Sequence, residues 1–252
     1  MLRSHNVLIR LFLLLHLIFG TVAQLPAQLN ANLATNNKFV YTLNAQFEDD
    51  IQADWSNEDI TMLAQQAYVR MVSKFPADKR LHPRFKNQSP VMTAIVVGHS
   101  VYFSSSLTGG GSLQYVPNQN CGYRDRWTPG NPAQPSPCAL VYEALLACQL
   151  RSPNNSGHRS GGNCGEVMAA TSFCTVNPDG NLAGAKIVTW GLSRGVQSVW
   201  NPCMPEPNDL ASMDVWGCDS FVKKLSMVAI LPDTNPSNRA IPNFTPTYSP
   251  FT

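Results

Sequence analysis

The chain has 252 residues, of which 44% are hydrophobic and 13% are charged, and its formal net charge is +2. This length suits a single domain with a sizeable core, and the small net charge argues against a strongly basic nucleic-acid surface. No apolar stretch reaches the roughly 20 residues that a membrane-spanning helix needs.

The first 23 residues have the three parts of a secretory signal peptide. Arg3 and Arg10 supply positive charge, residues 11–19 form a short apolar run, and a small-residue site ends at Ala23. We therefore predict an extracellular protein with no membrane anchor, whose mature chain starts near Gln24. Three N-x-S/T triplets then become candidate glycosylation sites: Asn87, Asn154 and Asn243.

The first elements follow this leader. Residues 24–55 are rich in Asn, Gln and Ala without sustained periodicity, so we expect a poorly ordered N-terminal arm. Ser56 and Asp59 form a capping-box pattern before apolar positions that predict a helix over 57–75. Residues 91–107 are rich in β-branched and aromatic residues and are interrupted at 98–100, which predicts a β-hairpin.

The rest of the expected domain, 56–233, alternates helices and strands. We expect an irregular insertion over 108–162 that carries a helix over 139–150, and then a helix over 164–174 capped by Asn163. The remaining elements are a strand over 185–190, a loop over 200–217, a helix over 218–225, a strand over 227–231 and a Pro-rich tail over 234–252 without regular structure. This alternation predicts an α/β layered sheet.

Seven cysteines are an odd number for a secreted chain, so they cannot all be paired within it. Either three disulfides leave one thiol, or two disulfides accompany a metal site with three thiolates. The contexts of Cys164, Cys203 and Cys218 favour the second arrangement, because all three lie at or near predicted helix N-termini, where thiolates are stabilised. Three protein ligands leave the fourth position of zinc for water, as in a catalytic site.

Two short motifs carry a family resemblance. Cys164-Gly165-Glu166 resembles the Cys-Ala-Glu form of the [HC]-x-E motif, and Trp200-Asn201-Pro202-Cys203 resembles the W-x-P-C that introduces P-C-x-x-C. Together, in this order, they resemble the zinc-dependent cytidine deaminase-like superfamily, whose order of helices and strands is similar to that expected over 57–232. The chain departs from the family where residues 204–217 separate its last two motif cysteines.

The resemblance implies a three-layer α/β/α cytidine deaminase-like sandwich with a mixed sheet and a disulfide-bearing insertion. It implies zinc bound by Cys164, Cys203 and Cys218, with Glu166 as the proton shuttle. The zinc-bound hydroxide would attack a ring carbon that bears an amino group, in a nucleobase of a nucleoside or nucleic acid. Trp200 would stack on the base or pack in the core, and no protein partner is predicted.

The remaining cysteines are disulfide candidates. Pairing Cys121 with Cys138 and Cys148 with Cys174 is one of three connectivities that four cysteines allow.

Three alternatives stay open at this point. Cys164 could form a disulfide, with no metal bound. The chain could be a non-catalytic secreted effector or binding protein on a deaminase-like scaffold. Cys164 could also be a thiol nucleophile with His158 as its base. We interpret His158 as a solvated loop histidine, because nothing in the sequence fixes it near the thiol.

Overall fold

The structure is a computed structural model that describes a large part of the chain between residues 25 and 247. The described residues are 25, 28–29, 38–74, 91–109, 115–117, 127–129, 138–152, 158, 160–193, 195–202 and 216–247. The predicted signal peptide, Asn87, Asn154, Cys121 and Cys203 lie outside these residues.

The described residues form five helices and twelve strands. The helices are α1 (Ile51–Asp54), α2 (Asn57–Lys74), α3 (Ala139–Arg151), α4 (Gly165–Val176) and α5 (Cys218–Lys224). The first six strands are β1 (Gln28–Leu29), β2 (Lys38–Phe39), β3 (Tyr41–Phe47), β4 (Val91–Val97), β5 (Ser100–Ser105) and β6 (Thr108–Gly109). The others are β7 (Tyr115–Pro117), β8 (Trp127–Pro129), β9 (Lys186–Ser193), β10 (Val196–Trp200), β11 (Val228–Ala229) and β12 (Phe244–Thr247).

One mixed sheet of eight strands organises the domain. Its order is β1-β3-β5-β4-β9-β10, with β11 also paired to β9 and β12 also paired to β3. The β9–β11 pair is parallel, and all the other pairs are antiparallel. The prediction of a mixed α/β fold is confirmed at this level.

Alternating residues of β4 face two separate hydrophobic clusters. Met92 and Ala94 belong to a cluster that includes residues of α2, whereas Ile95 belongs to one that includes residues of α3, α4 and α5. This alternation follows from the two-residue period of a strand. Helices therefore cover both faces of the sheet, and α4 packs against β4 and β5.

The expectation of a poorly ordered arm over 24–55 is wrong for α1 and for β3. The strand β3 is the larger departure. This strand pairs with β1, β5 and β12 and is buried at six of its seven positions. Its sequence hides the strand pattern because Thr42 and Asn44 are buried as well. Asn44 Oδ1 accepts a hydrogen bond of 2.9 Å from the hydroxyl of Ser172 in α4, so this polar residue faces a helix rather than solvent.

The expectation of a tail without regular structure is also wrong. Residues 244–247 form β12, which pairs with β3. Upstream, the Arg239 guanidinium lies 4.2 Å from the centre of the Trp55 ring and donates to Asp59 over 3.1 Å. The C-terminal segment is therefore attached to the start of α2.

The four helices predicted from the sequence begin and end within one or two residues of the expected positions. The Ser56–Asp59 capping box is present, because Ser56 Oγ accepts from the Asp59 amide and Asp59 Oδ2 accepts from the Ser56 amide. Helix α4, however, begins at Gly165 with Cys164 as its N-cap, rather than with Asn163. None of the helices in the described residues has the length and apolar character required to cross a bilayer.

Candidate metal centre

A glycine-rich turn brings His158 to the start of α4. Gly161 donates its amide to the His158 carbonyl over 2.9 Å, and Gly161 and Gly162 have φ values of 59° and 71°. This left-handed conformation favours glycine because it lacks a Cβ. The turn also directs the amides of Ser160 and Gly162 at His158 Nδ1, over 3.1 and 3.2 Å.

The other ring nitrogen of His158 faces two sulfurs. His158 Nε2 lies 3.3 Å from Cys218 Sγ and 3.8 Å from Cys164 Sγ, and these three atoms all lie within 4.8 Å of one another. Zinc bonds of about 2.3 Å to sulfur and 2.0 Å to nitrogen place tetrahedral ligand atoms roughly 3.5–3.8 Å apart. The spacing is therefore of the right size, and the His158, Cys164 and Cys218 group could hold a metal ion.

The structure corrects the interpretation of His158. The sequence suggested a solvated loop residue, but His158 is only 2% exposed, and its ring packs edge-on against Trp216 at 4.7 Å between centroids. The sequence did contain a signal for the placement of His158 near Cys164. The pair Gly161-Gly162 lies between them, and two adjacent glycines allow a tight turn of the chain.

Cys164 and Cys218, which the sequence places in one site, do lie together. Cys164 is the N-cap of α4, and Cys218 is the first residue of α5 and fully buried. Both helices start on the side of the sheet that α3 also covers. The third predicted ligand, Cys203, lies outside the described residues.

Glu166 is held in the first turn of α4, two residues after Cys164. Its side chain is buried at 5% exposure, and its Oε1 accepts a hydrogen bond of 3.1 Å from Thr189 Oγ1 in β9. Thr189 Oγ1 lies 2.7 Å from Thr93 Oγ1 in β4. Because the Thr189 proton goes to the carboxylate, Thr93 is the donor in the second contact.

Gly165 lets α4 approach the sheet closely enough for this arrangement. A Cβ built on Gly165 would collide with Thr93 Oγ1 and lie 3.1 Å from Thr93 Cβ. A glycine between Cys164 and Glu166 therefore has a steric reason in this chain.

Cys164 and Glu166 open onto one cavity of about 270 Å³. Thr189, Trp200 and Asn201 also line it. Trp200, for which stacking on a base and core packing both remained open, is half-buried in this wall. Its Nε1 is buried and has no hydrogen-bond partner in the described part of the chain. The cavity therefore combines a carboxylate, a sulfur ligand and an aromatic surface.

The sheet topology explains this convergence. β10 pairs with β9 in antiparallel fashion until Trp200, which lies opposite Thr189. Beyond that point the same edge of β9 is taken by β11, which pairs with Lys186 and Ile187 and follows α5. The place where one strand leaves the edge and another joins it is therefore where Trp200 and α5 approach α4.

The disulfide pairing suggested from the sequence is wrong. Cys138 is bonded to Cys174, with 5.5 Å between their Cα atoms, so Cys174 is not paired with Cys148 and Cys138 is not paired with Cys121. The bond joins the N-cap of α3 to α4, a proximity that depends on how these helices pack. Cys148 forms no disulfide with another cysteine in the described part of the chain, and burial raises the pKa of its thiol to about 11.

Asn243, the described member of the three candidate glycosylation sites, is exposed just before β12. This position is compatible with an attached glycan.

Comparison of the chain with protein-family models, with curated protein sequences and with solved structures finds no match.

Proposed function

We propose that this protein is a secreted zinc-dependent hydrolase that deaminates a nucleobase in a nucleoside or nucleic acid. The observation that carries the proposal is that Glu166 and Cys164 line one cavity, while Cys164 belongs to a group that could hold a metal ion. A buried carboxylate that shares a cavity with a sulfur ligand of such a group is suited to metal-assisted proton transfer. The deaminase-like sandwich implied by the motifs is part of the same proposal.

The donor set suits zinc. Thiolate and imidazole are ligands that zinc binds well, and Cys164 and Cys218 both lie at helix starts, where the helix dipole favours negative charge. When bound, zinc would supply Lewis-acid activation of water for attack on a ring carbon. The remaining protein ligand would be His158, from the described group, or Cys203, from the sequence motif.

Glu166 would move the protons of the reaction. Its carboxylate takes one proton from the attacking water and delivers it to the ring nitrogen, while the water oxygen bonds to the carbon. It then transfers the second water proton to the amino group, the carbon–nitrogen bond breaks, and ammonia leaves as the carbonyl forms. The hydrogen bond from Thr189 holds Oε1 in place, which orients the carboxylate for these transfers.

Trp200 would form the wall against which the base lies. An indole offers a face for stacking and one donor, and its Nε1 is buried without a partner in the described residues. The cavity of about 270 Å³ is of a size for one base with little more of its substrate enclosed.

Cys164 Sγ lies 3.8 Å from His158 Nε2, a distance that is compatible with the thiol-nucleophile alternative. This alternative is disfavoured by the position of the proton on the His158 ring. Two amides donate to Nδ1, so a neutral imidazole carries its proton on Nε2. This histidine cannot then accept the Cys164 proton at Nε2, as a general base must.

The test uses full-length mature protein purified without chelators. We expect about one zinc per chain by elemental analysis, and ammonia release from cytidine, adenosine or single-stranded nucleic acid. Glu166→Gln should keep its zinc and lose activity by about 10²–10⁴-fold. The matched control is Glu143→Gln, at an exposed position of α3, which should retain activity.

The absence of zinc together with Cys164 in a disulfide would overturn the proposal and favour the non-catalytic effector. Full activity of Glu166→Gln would remove the assigned role of Glu166. Zinc content of Cys203→Ser separates the two choices for the remaining ligand.

A further inference from the structure

We propose that His158 is not a zinc ligand but a positioning residue that donates its Nε2–H to the sulfurs of Cys164 and Cys218. The inference rests on the zinc site of the proposed function. It assigns His158 the task of stabilising a buried thiolate, Cys218, and a half-buried one, Cys164, from outside the coordination sphere.

The surroundings of Nδ1 carry the argument. The amides of Ser160 and Gly162 both donate to this nitrogen, over 3.1 and 3.2 Å. A nitrogen that accepts hydrogen bonds carries no proton, so the neutral ring must carry its proton on Nε2.

Zinc binding through Nε2 requires the opposite tautomer. A zinc-binding histidine donates its other ring N–H to a carboxylate, a carbonyl or water. If Nε2 of His158 bound zinc, Nδ1 would carry the proton and face two amide donors. The turn fixes those amides, because Gly161 and Gly162 are left-handed and the turn closes through the Gly161 amide and the His158 carbonyl.

The Nε2 proton has suitable acceptors. It points at Cys218 Sγ, 3.3 Å away, with Cys164 Sγ at 3.8 Å. Cys218 is fully buried, and a thiolate removed from water is costly unless hydrogen bonds or opposite charge compensate it. One neutral donor between two sulfurs lowers that cost and leaves both sulfurs able to bind a metal.

Packing holds the ring in this orientation. His158 is 2% exposed, and the edge-to-face contact with Trp216 is nearly perpendicular, at 88° between the ring planes. Trp216 lies two residues before Cys218, so the segment that delivers the second sulfur also fixes the donor.

X-ray absorption at the zinc edge tests the assignment directly. In full-length wild-type protein we expect sulfur and light-atom scatterers without the multiple-scattering signature of imidazole. His158→Ala should keep the same sulfur count at saturating zinc and bind zinc about 10–100-fold more weakly. His158→Gln, whose amide can donate to the sulfurs, should recover part of that affinity.

The matched controls are His99→Gln, at an exposed turn, which should leave affinity unchanged, and Cys164→Ser, which should lose a sulfur scatterer. Circular dichroism and the intact Cys138–Cys174 bond identify variants that fail to fold. An imidazole signature in wild type that disappears in His158→Ala would overturn the inference while leaving the zinc hydrolase intact.

Nitrogen NMR of the His158 ring tests the same point without relying on zinc. We expect the proton on Nε2 in the reduced, metal-free protein and again with zinc present. A proton on Nδ1 in either state would overturn the inference. Failure to bind any zinc would instead contradict the proposed function.

Discussion

Thr189 donates its hydroxyl proton to the carboxylate of Glu166, with 3.1 Å between Oγ1 and Oε1. Thr189 is also the register partner of Thr93 in β4 and of Trp200 in β10. One threonine therefore links the proposed proton shuttle, the neighbouring strand and the aromatic wall of the cavity. The position of Glu166 is set by the sheet as well as by its own helix.

The proposed function predicts that replacing Thr189 by Val reduces deamination with little effect on zinc content. Valine has a similar shape but cannot donate to Glu166, so the carboxylate loses the contact that orients it. We expect kcat to fall about tenfold and KM to change little, because the interaction acts on the reacting carboxylate. Steady-state kinetics and elemental analysis of the variant measure both quantities.

Thr189→Ser is the matched control, because it keeps the hydroxyl and should retain most of the activity. An unchanged kcat for Thr189→Val would show that Glu166 is positioned by other contacts.

Gly165→Ala should destabilise the fold by about 1–3 kcal/mol, a usual cost of forcing extra volume into a packed interior. The new methyl group would collide with Thr93 Oγ1, and it would push the start of α4 away from β4. Urea denaturation gives the free energy of unfolding. In the Gly165→Ala background, Thr93→Ala should recover part of the loss, whereas additive losses would contradict the proposed clash.

Removing the Cys138–Cys174 bond should lower the free energy of unfolding by about 4 kcal/mol. The two cysteines are 36 residues apart, and closing a loop of this size reduces the entropy of the unfolded chain by roughly that amount. Denaturation of the double variant Cys138→Ala/Cys174→Ala measures the effect. Cys148→Ala, which removes a buried sulfur without breaking a bond, is the comparison and should cost less.

Cys148 should resist alkylation in the native protein. Burial raises the pKa of its thiol to about 11, so at pH 7.4 the reactive thiolate is scarce, and the side chain is only 7% exposed. Iodoacetamide treatment followed by peptide mass spectrometry should find Cys148 labelled only after denaturation. Rapid labelling of Cys148 in the folded protein would contradict the burial of its side chain.

Asp59 should contribute to stability at neutral pH and lose that contribution in acid. Burial alone would raise its pKa, but hydrogen bonds from Ser237, Arg239 and the Ser56 amide bring the pKa below its ordinary value. Because the folded-state pKa is below the unfolded value of about 3.9, the stabilisation is complete above that pH and is lost as pH falls through the folded-state pKa.

Asp59→Asn should therefore cost about 1 kcal/mol at pH 7 and less near pH 3, measured by urea denaturation at both values. Asp54→Asn, at an exposed position, should show no such dependence on pH. A cost for Asp59→Asn that is equal at both pH values would contradict the role of the ionised carboxylate.

Local patterns predicted helices α2 to α5 well because their signals are contained within each segment, whereas the short α1 was not predicted. The capping pair Ser56 and Asp59 marks the start of α2, and the apolar run of α3 is bounded by Cys138 and by Ser152. β3 was missed because Thr42 and Asn44 are polar residues that are buried, and the partner of Asn44 lies on α4, far along the chain. No pattern within a strand reveals such a partner.

The candidate site was partly predictable for the same reason. Cys164 and Glu166 are two residues apart on one helix start, so their proximity follows from the sequence, and a second cysteine motif pointed to Cys218. The role of His158 depends on a left-handed turn and on Trp216, which are tertiary features. The Cys138–Cys174 pairing likewise depends on how α3 packs against α4, which cysteine spacing does not encode.

Helix α4 has a cysteine at each end, and the two cysteines need different oxidation states. Cys174 is oxidised to a disulfide, whereas Cys164, about 15 Å away along the helix axis, would have to remain a thiolate to bind the proposed zinc. A strong oxidant would close the bridge but endanger the metal ligands, and a strong reductant would do the reverse. Zinc should therefore be present before oxidative refolding begins, because coordinated thiolates are shielded from oxidation while the bridge forms.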